Sequence, residues 1–444
     1  MSAQLGQNTL VAAKQSQLAP VLVGKHSFFT PRGWEACQVF HVDENVPVQA
    51  LDGVPSFGSQ VRFRVNKNKT LIAKPLLETV LSAATLDAGR SAAYVKNLGD
   101  QILAQVQIRY GTNVLQSYPG EFQYIWRRLS RNDVLIEGVN AQVLGGLPVG
   151  GASETSRETA LTTGLTLYSP LEECYWHWNK DEHWMPEAHA QELEVIITLA
   201  PLSQLVYSDN GADPFIGVGV SPAITSCRLI SREITLSAME KRDRLARYET
   251  PDGVVVKFLD LERQENFRLE GTGAGGSATY TIPLNNIRMD MAEMIFLVRE
   301  DSMVAGEPGA RNPWASDALE SGSATSTVTG ASIQTVVGIT SFRLLSNGQE
   351  VHRSISDLYN RSEVRPNYHP EAQIGDFFYT LPFALYPEDR KNVTGHLPAS
   401  NLGNLELEIT LPSFDAADPK RVDVYVHSHN LIQHRDGNAV RVLN

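Results

Sequence analysis

The chain has 444 residues, 42% of them hydrophobic, and a formal net charge of -12. Such a length supports a large core and makes two domains of about 200 residues the natural expectation. The acidic balance argues against wrapping a phosphate backbone, so no direct nucleic-acid binding is expected.

Taken in chain order, residues 1–24 are rich in Gln, Ala and Ser and hold no acidic residue, which describes an N-terminal arm rather than a folded element. No basic start leads into a long apolar stretch, so a signal peptide is not expected. Alternation typical of half-buried strands then appears at VRFRV, where Val61, Phe63 and Val65 oppose Arg62 and Arg64. It recurs at QILAQVQIRY through Ile102, Ala104, Val106 and Ile108, and at LEVIITL through Leu193, Val195, Ile197 and Leu199. Near the C-terminus LELEITL places Leu405, Leu407, Ile409 and Leu411 on one face. Helical periodicity is confined to short pieces near 119–129 and 237–247. Turn signals at Pro251-Asp252-Gly253, Ser346-Asn347-Gly348 and Asp436-Gly437-Asn438 punctuate the runs. The longest compact apolar run, MIFLV at 294–298, falls well short of the roughly 18 to 20 residues of a membrane span. An all-β, soluble protein is expected. Cys37, Cys174 and Cys227 are scattered and odd in number, which fits a reducing compartment such as the cytoplasm.

An internal echo organises these strands. YGTNVLQSYPGEF at 110–122 aligns with NGQEVHRSISDLY at 347–359 at constant offset: Gly111 falls on Gly348, Val114 on Val351, Ser117 on Ser354 and Phe122 on Tyr359. Each copy reads as strand, Gly-containing turn, short strand and helical turn. The echo is either chance or the mark of a duplicated β-sandwich; the chain length fits duplication, with the boundary expected in the loop-like 208–223 stretch: first domain 25–215, second domain 216–444.

Five segments in order carry a family resemblance. FGSQVRFRVNKNKTLIAKPLLETVLS from Phe57 and NLGDQILAQVQIRYGTNVLQSYPGEFQYIW come first, followed by LYSPLEECYWHWNKDEHWMPEAHAQELEVIITL. FALYPEDRKNVTGHLPASNLGNLELEI and RVDVYVHSHNLIQHRDGNAV, with Asn430-Leu431 before a Gly turn, complete the set. Together they resemble the double jelly-roll major capsid proteins of the nucleocytoplasmic large DNA viruses, from about residue 55 to the C-terminus. Two departures stand out: no Cys-Asn-Phe segment follows Pro387-Glu388-Asp389, and His427 and His429 occupy positions where an aromatic is common.

The resemblance implies two tandem eight-stranded antiparallel jelly-roll sandwiches with short helices in their loops. It also implies homotrimeric, pseudo-hexagonal capsomers tiling an icosahedral shell, with neighbouring capsomers and minor capsid and penton proteins as partners. Such a shell can lie near an internal viral membrane without spanning it. The protein would reside in the virion after assembly in the host cytoplasm, the arm would serve assembly, and the 303–332 insertion would form outward loops. A smaller double jelly-roll virus, such as a virophage or polinton-like element, is the alternative source. No catalytic, cofactor or metal residue is implied.

Other constellations have bland interpretations. Cys174, His177, His183 and His189 lie within one span, but their irregular spacing among Trp176, Trp178 and Trp184 favours aromatic packing over a metal site. His427 and His429 share a strand face and are expected at solvent. Glu172 with Glu173, or Asp181 with Glu182, could serve a carbohydrate-active or amide-hydrolysing enzyme, yet adjacent acids are expected to be simply solvated. A sandwich lectin would need an aromatic groove. The 271–280 Gly-rich stretch lacks a phosphate-loop Lys and is read as a loop. Asn68, Asn360 and Asn392 stand in glycosylation sequons. In FALYPEDRKNVTGHLPASN, Pro387 is expected to end a strand, Asp389 to accept from backbone amides and Gly395 to turn the chain across one end of a sandwich.

Overall fold

The computed structural model describes Phe40–Glu44 and most of residues 55–442. Its longer breaks fall at 131–153, 179–183, 209–213, 302–322, 326–331 and 373–377, so part of the 208–223 stretch expected to hold the domain boundary lies outside the described residues. The arm at 1–24, nearly all of the 303–332 insertion, and Asn68, Asp181, Glu182, His183 and Cys37 lie outside the described residues. No described helix is long and apolar enough to cross a membrane.

Among the described residues, sixteen strands form the main paths of the two sandwiches, with short strands at Leu397–Pro398 and Asn438–Arg441 added to one sheet of the second. The first eight are β1 (Phe40–Glu44), β2 (Gln60–Arg64), β3 (Leu71–Leu81), β4 (Leu103–Tyr110), β5 (Asn113–Tyr118), β6 (Leu165–Pro170), β7 (Leu193–Leu199) and β8 (Ile224–Thr235). The second eight are β9 (Val254–Leu269), β10 (Ala278–Pro283), β11 (Asp290–Glu300), β12 (Ser341–Ser346), β13 (Gln349–Ser356), β14 (Phe378–Pro382), β15 (Leu405–Leu411) and β16 (Lys420–Arg435). The first sandwich faces a β1-β8-β3-β6 sheet against β2-β7-β4-β5. Adding eight to every strand number yields the second: β9-β16-β11-β14 against β10-β15-β12-β13. All of these pairings are antiparallel, which is the strand order of a jelly roll, twice.

The alternation sets the inner faces. Val61, Phe63, Val106, Ile108, Val195 and Ile197 enter the first core. Leu405, Leu407, Ile409 and Leu411 enter the second, with Glu406, Glu408 and Thr410 between them partly exposed. The echoed hairpins coincide: β4 turns into β5 at Gly111 (φ 57°), and β12 turns into β13 at Asn347-Gly348 (φ 50° and 76°), both in the left-handed region that hairpin turns require.

Three expectations change. β8 lies beyond the 215/216 boundary, yet it pairs with β1 and β3 of the first sandwich over most of its length. We therefore propose the junction after Thr235, since a boundary at 215/216 would strip the first sheet of a central strand. β1 precedes the stretch that carries the resemblance and completes that sheet. A third helix of about ten residues, Glu154–Thr163, joins those near 120 and 238, at Gly120–Ser130 and Ala238–Tyr248; we label the three α1 (Gly120–Ser130), α2 (Glu154–Thr163) and α3 (Ala238–Tyr248). α2 escapes detection because Ala160 and Leu161 alone among its apolar residues pack into the core, too few to show a period.

The 383–401 stretch joins β14 to β15, but β14 ends at Pro382 and not at Pro387, which falls in a turn already outside the sheet. Asp389 accepts from the Asn392 amide (3.1 Å) and side chain (2.9 Å), and Gly395 sits at φ 142°. A short strand at Leu397–Pro398 then pairs with the start of β11. The 271–277 stretch simply joins β9 to β10.

Leu407 is fully buried between strands β10 and β12. Leu407→Asp is expected to remove several kcal/mol, about the cost of an unpaired buried charge, and to abolish soluble folded protein. Circular-dichroism melting of the variant checks this; a wild-type melting temperature would mean that the inner face of β15 is misassigned.

Candidate functional site: the seam between the sandwiches

Of the polar and aromatic residues singled out in the sequence, Glu172, Glu173, Trp184, His189 and His427 lie at the contact between the two sandwiches, with α1 at its centre, while the side chains of His177 and Trp178 lie outside the description. Gly120 opens the helix where a Cβ would lie 2.2 Å from the Asp100 carbonyl oxygen, so only glycine lets the helix start this close to the sheet. Glu121 in the first turn and Arg127 and Arg128 in the last match the helix dipole.

Two side chains pin α1 to its own sandwich. Gln123 accepts from the Glu172 amide (2.7 Å). Arg127, buried, donates to both Asp100 oxygens (2.8 and 3.1 Å) and to Glu172 (3.3 Å). Those carboxylates hold the guanidinium charged against the opposing effect of burial, pushing its pKa up. Glu172 and Glu173 are therefore buried, contrary to the expectation of solvated acids. The reason is that their segment runs under α1, where Glu173 also offers its carbonyl to Gln116 (2.6 Å). This pairing is structural.

The opposite face of α1 belongs to the second sandwich. Phe122, Tyr124, Ile125, Trp126 and Leu129 pack on Ile295, Leu297, Phe378 and Tyr425, which stand on the outer face of β11, β14 and β16. Arg299, buried on β11, pairs with Glu121 across the seam (2.6 Å) and with Asp423 in its own sheet. Lower down, Val256, Phe258, Ile432 and Ala439 of the second sandwich join the core of the first. The Gly437 carbonyl accepts from the Ala190 amide (2.7 Å) and from the Tyr110 hydroxyl.

Histidines fill the seam. His427 is fully buried, its ring 4.3 Å from that of Trp126 and 4.7 Å from Phe122, with Glu173 Oε2 3.5 Å from Nε2. The expectation of a solvent-facing pair with His429 thus fails for His427. The outer face of β16 is covered by α1, a contact that strand alternation cannot register. His429 is half-buried and its Nε2 lies 3.2 Å from the Gly395 carbonyl. His369, fully buried, is clamped between Glu293 (2.5 Å) and Glu388 (2.7 Å). The two carboxylates outweigh desolvation and raise its pKa to about 9, so it is an imidazolium donating from both nitrogens.

At the other end, His189 stacks on Trp184 (4.0 Å, 17°), and its Nε2 lies 2.9 Å from His434 Nδ1. His189 Nδ1 faces the Met185 carbonyl (2.8 Å) and must carry the proton there. Nε2 therefore accepts, and His434 Nδ1 donates. Burial lowers the two pKa values to about 4 and about 3, keeping both rings neutral. Of the suspected metal cluster, His189, Trp176 and Trp184 are buried in packing and Cys174 is a buried free thiol. The described residues hold no group of metal-ligating side chains. Asn360 is fully buried and bonded to Thr380 (2.8 Å), so its sequon is closed to a glycan, whereas Asn392 lies in an exposed turn.

Comparisons with known proteins agree with this architecture. No family model matches the chain. It is 25% identical over 161 residues to "Probable capsid protein 4" of Acanthamoeba polyphaga mimivirus, a match covering 34% of this chain and 30% of that protein. It is 25% identical over 151 residues to the "Major capsid protein" of Pyramimonas orientalis virus, covering 34% of this chain and 36% of that protein. The matches thus span about a third of the length of these curated relatives. Among solved structures, the Faustovirus major capsid protein superposes with a TM-score of 0.70 at 12% identity, over 98% of both chains.

Trp126→Ala is expected to cost about 3–5 kcal/mol, as for other buried Trp truncations, and to lower the melting temperature of both sandwiches together because they share a core. Differential scanning calorimetry reads both effects. The histidines also set a pH dependence. His369, with its folded pKa above the ordinary 6.5, contributes fully below pH 6.5 and loses its contribution as pH rises through about 9. The depressed His189–His434 pair contributes fully above 6.5 and loses its contribution as pH falls toward about 4 and 3. Asp260, buried and raised to about 6, opposes that acid loss with one group against two. Maximal thermal stability is expected near pH 6.5, checked by melting from pH 5 to 9. The geometry and the comparisons together make the fold a double jelly roll, the architecture of large DNA virus major capsid proteins.

Proposed function

We propose that the protein is a major capsid protein of a large double-stranded DNA virus, forming homotrimeric capsomers that tile an icosahedral shell. The observation that carries this is the eight-strand offset: one chain holds two sandwiches of identical strand order, locked by a buried seam. Three such chains place six similar sandwiches around one axis and tile a hexagonal lattice, which one sandwich per chain does not do in threes. The similarity to viral capsid proteins supports the same reading. A structural rather than catalytic role is supported by the burial of Glu172 in a pair that holds α1 and of Glu173 against Gln116 and His427.

On this reading the partners are neighbouring capsomers and minor capsid and penton proteins. The protein resides in the virion after assembly in the host cytoplasm, and residues 1–24 act as an assembly arm beneath the shell. Permanent interfaces bury roughly 2,000 Å² or more, so the trimer is expected to persist on dilution to micromolar concentration. Light scattering and negative-stain microscopy of the purified protein should show a trimer with a pseudo-hexagonal outline; a stable monomer would overturn the proposal.

A further inference from the structure

The two buried guanidiniums of the seam are neutralised by carboxylates, Arg127 by Asp100 and Glu172 and Arg299 by Glu121 and Asp423. A third buried guanidinium, Arg157 in α2, has no such partner among the described residues. The residue is 7% exposed, and its one hydrogen bond there goes to a neutral group, from Nη2 to the Tyr207 hydroxyl (3.0 Å). The ring of the same tyrosine lies 5.7 Å from Cζ. Nε is closed off from solvent and bonds to nothing. A ring face and one hydroxyl orient the guanidinium without cancelling its charge.

The helix holds that charge in place. α2 packs on the short ladder formed by Ala92–Tyr94 and Val206–Ser208, in which Ala93 stands opposite Tyr207. Ala160 and Leu161 are in the core of the first sandwich, and the Leu161 carbonyl accepts from the Ala84 amide (2.9 Å). Gly164 ends the helix at φ 76°, where a Cβ would lie 2.8 Å from the Leu81 carbonyl oxygen. With its far end fixed in this way, α2 cannot lift Arg157 into water.

The position is also the wrong one for a cation. Arg157 is the fourth residue of a ten-residue helix, and helical side chains lean toward the N-terminus, the positive end of the dipole. A guanidinium cannot shed its proton in a protein, so burial leaves the whole charge to be met. An unpaired buried ion is among the costliest groups a fold can carry. Bulk water does not reach Nε, so its partner is a bound group. The parallel N–H donors on one edge of a guanidinium match two oxygens of an oxyanion, a geometry that a single spherical ion such as chloride does not fill.

We infer that Arg157 holds a small tetrahedral oxyanion of the phosphate or sulfate type, bound as a counterion near the N-terminal end of α2 where α2 crosses the Tyr207 strand. The site lies within the first sandwich, at the end where β6 and β8 begin, and is independent of how chains associate. Its effect is to make the stability of that end depend on the anion.

Melting of the full chain by differential scanning fluorimetry tests this, with inorganic phosphate or sulfate replacing chloride at constant ionic strength. The wild-type melting temperature is expected to rise by about 3–5 °C once the anion reaches about 100 times its Kd. The anion that acts at the lower concentration is the resident one. Arg157→Leu, which removes the buried charge, is expected to melt no lower than wild type in chloride and to show no response to either anion. An arginine that served packing alone would give the opposite pair of results, a lower melting temperature in the Leu variant and a wild type indifferent to the anion. Arg157→Lys keeps the charge but loses the two-donor edge, and its half-saturation is expected about 10- to 100-fold higher, the effect of one lost charged hydrogen bond. A flat wild-type response would overturn the inference and leave the charge to an acidic group of protein. Equal responses in wild type and Arg157→Leu would overturn it as a general salt effect, an adventitious ion only. If the Leu variant does not fold, the Lys variant decides: half-saturation equal to wild type would overturn the site.

Discussion

The architecture depends on one helix being held from both sides. α1 is tied to the first sandwich by the Arg127 fork on Asp100 and Glu172, and its aromatic face is buried by the second sandwich. A buried ion pair of this kind adds little net stability compared with an apolar replacement, since both charges must be desolvated. What it supplies is orientation: the guanidinium fixes the helix about its axis, so Phe122 and Trp126 point at the second sheet. The area buried there then supplies the driving force. Glu121 and Arg299 close the same contact from across the seam, so a rotation of α1 would leave buried charges without partners.

The seam also explains why polar residues occur at places where a sandwich has none. His427, His369 and Glu293 stand on or beside the outer face of the second sheet, the face that in an isolated sandwich would meet water. Covering that face with α1 turns an ordinary polar exterior into an interior, and each polar group then needs a partner. Glu293 and Glu388 satisfy His369, and the His189–His434 pair satisfies itself by adopting complementary tautomers. These pairings give the molecule its acid and alkaline limits. The apolar cores of the two sandwiches carry no such dependence.

Duplication is the economical route to such a molecule. The second copy has drifted: its helix carries Leu358 and Tyr359 where the first carries Glu121 and Phe122.

Much of this was legible from local pattern. Alternation in VRFRV, LEVIITL and LELEITL, and in QILAQVQIRY from Val106 onward, placed four inner-face strands, since a period of two is imposed by the pleat itself; Ala104, expected on the inner face, is exposed because the register shifts between Leu103 and Gln105. The Gly111 and Gly348 turns marked equivalent hairpins because left-handed backbone selects glycine. Asp389 and Gly395 take the expected turn roles for the same local reasons, whereas the strand before them ends at Pro382 rather than at Pro387. Tertiary structure alone decided the rest. β8 belongs to the first sandwich because it is paired on both sides by strands from far earlier in the chain, which no loop-like composition reveals. Glu172, Glu173 and His427 look like surface residues in sequence and are interior residues in fact, because a helix about 45 residues away from the first and hundreds from the last covers them. Sequence periodicity records which side of a strand faces its own core; which outer face is covered by another element is set by long-range packing, and it leaves no period to read.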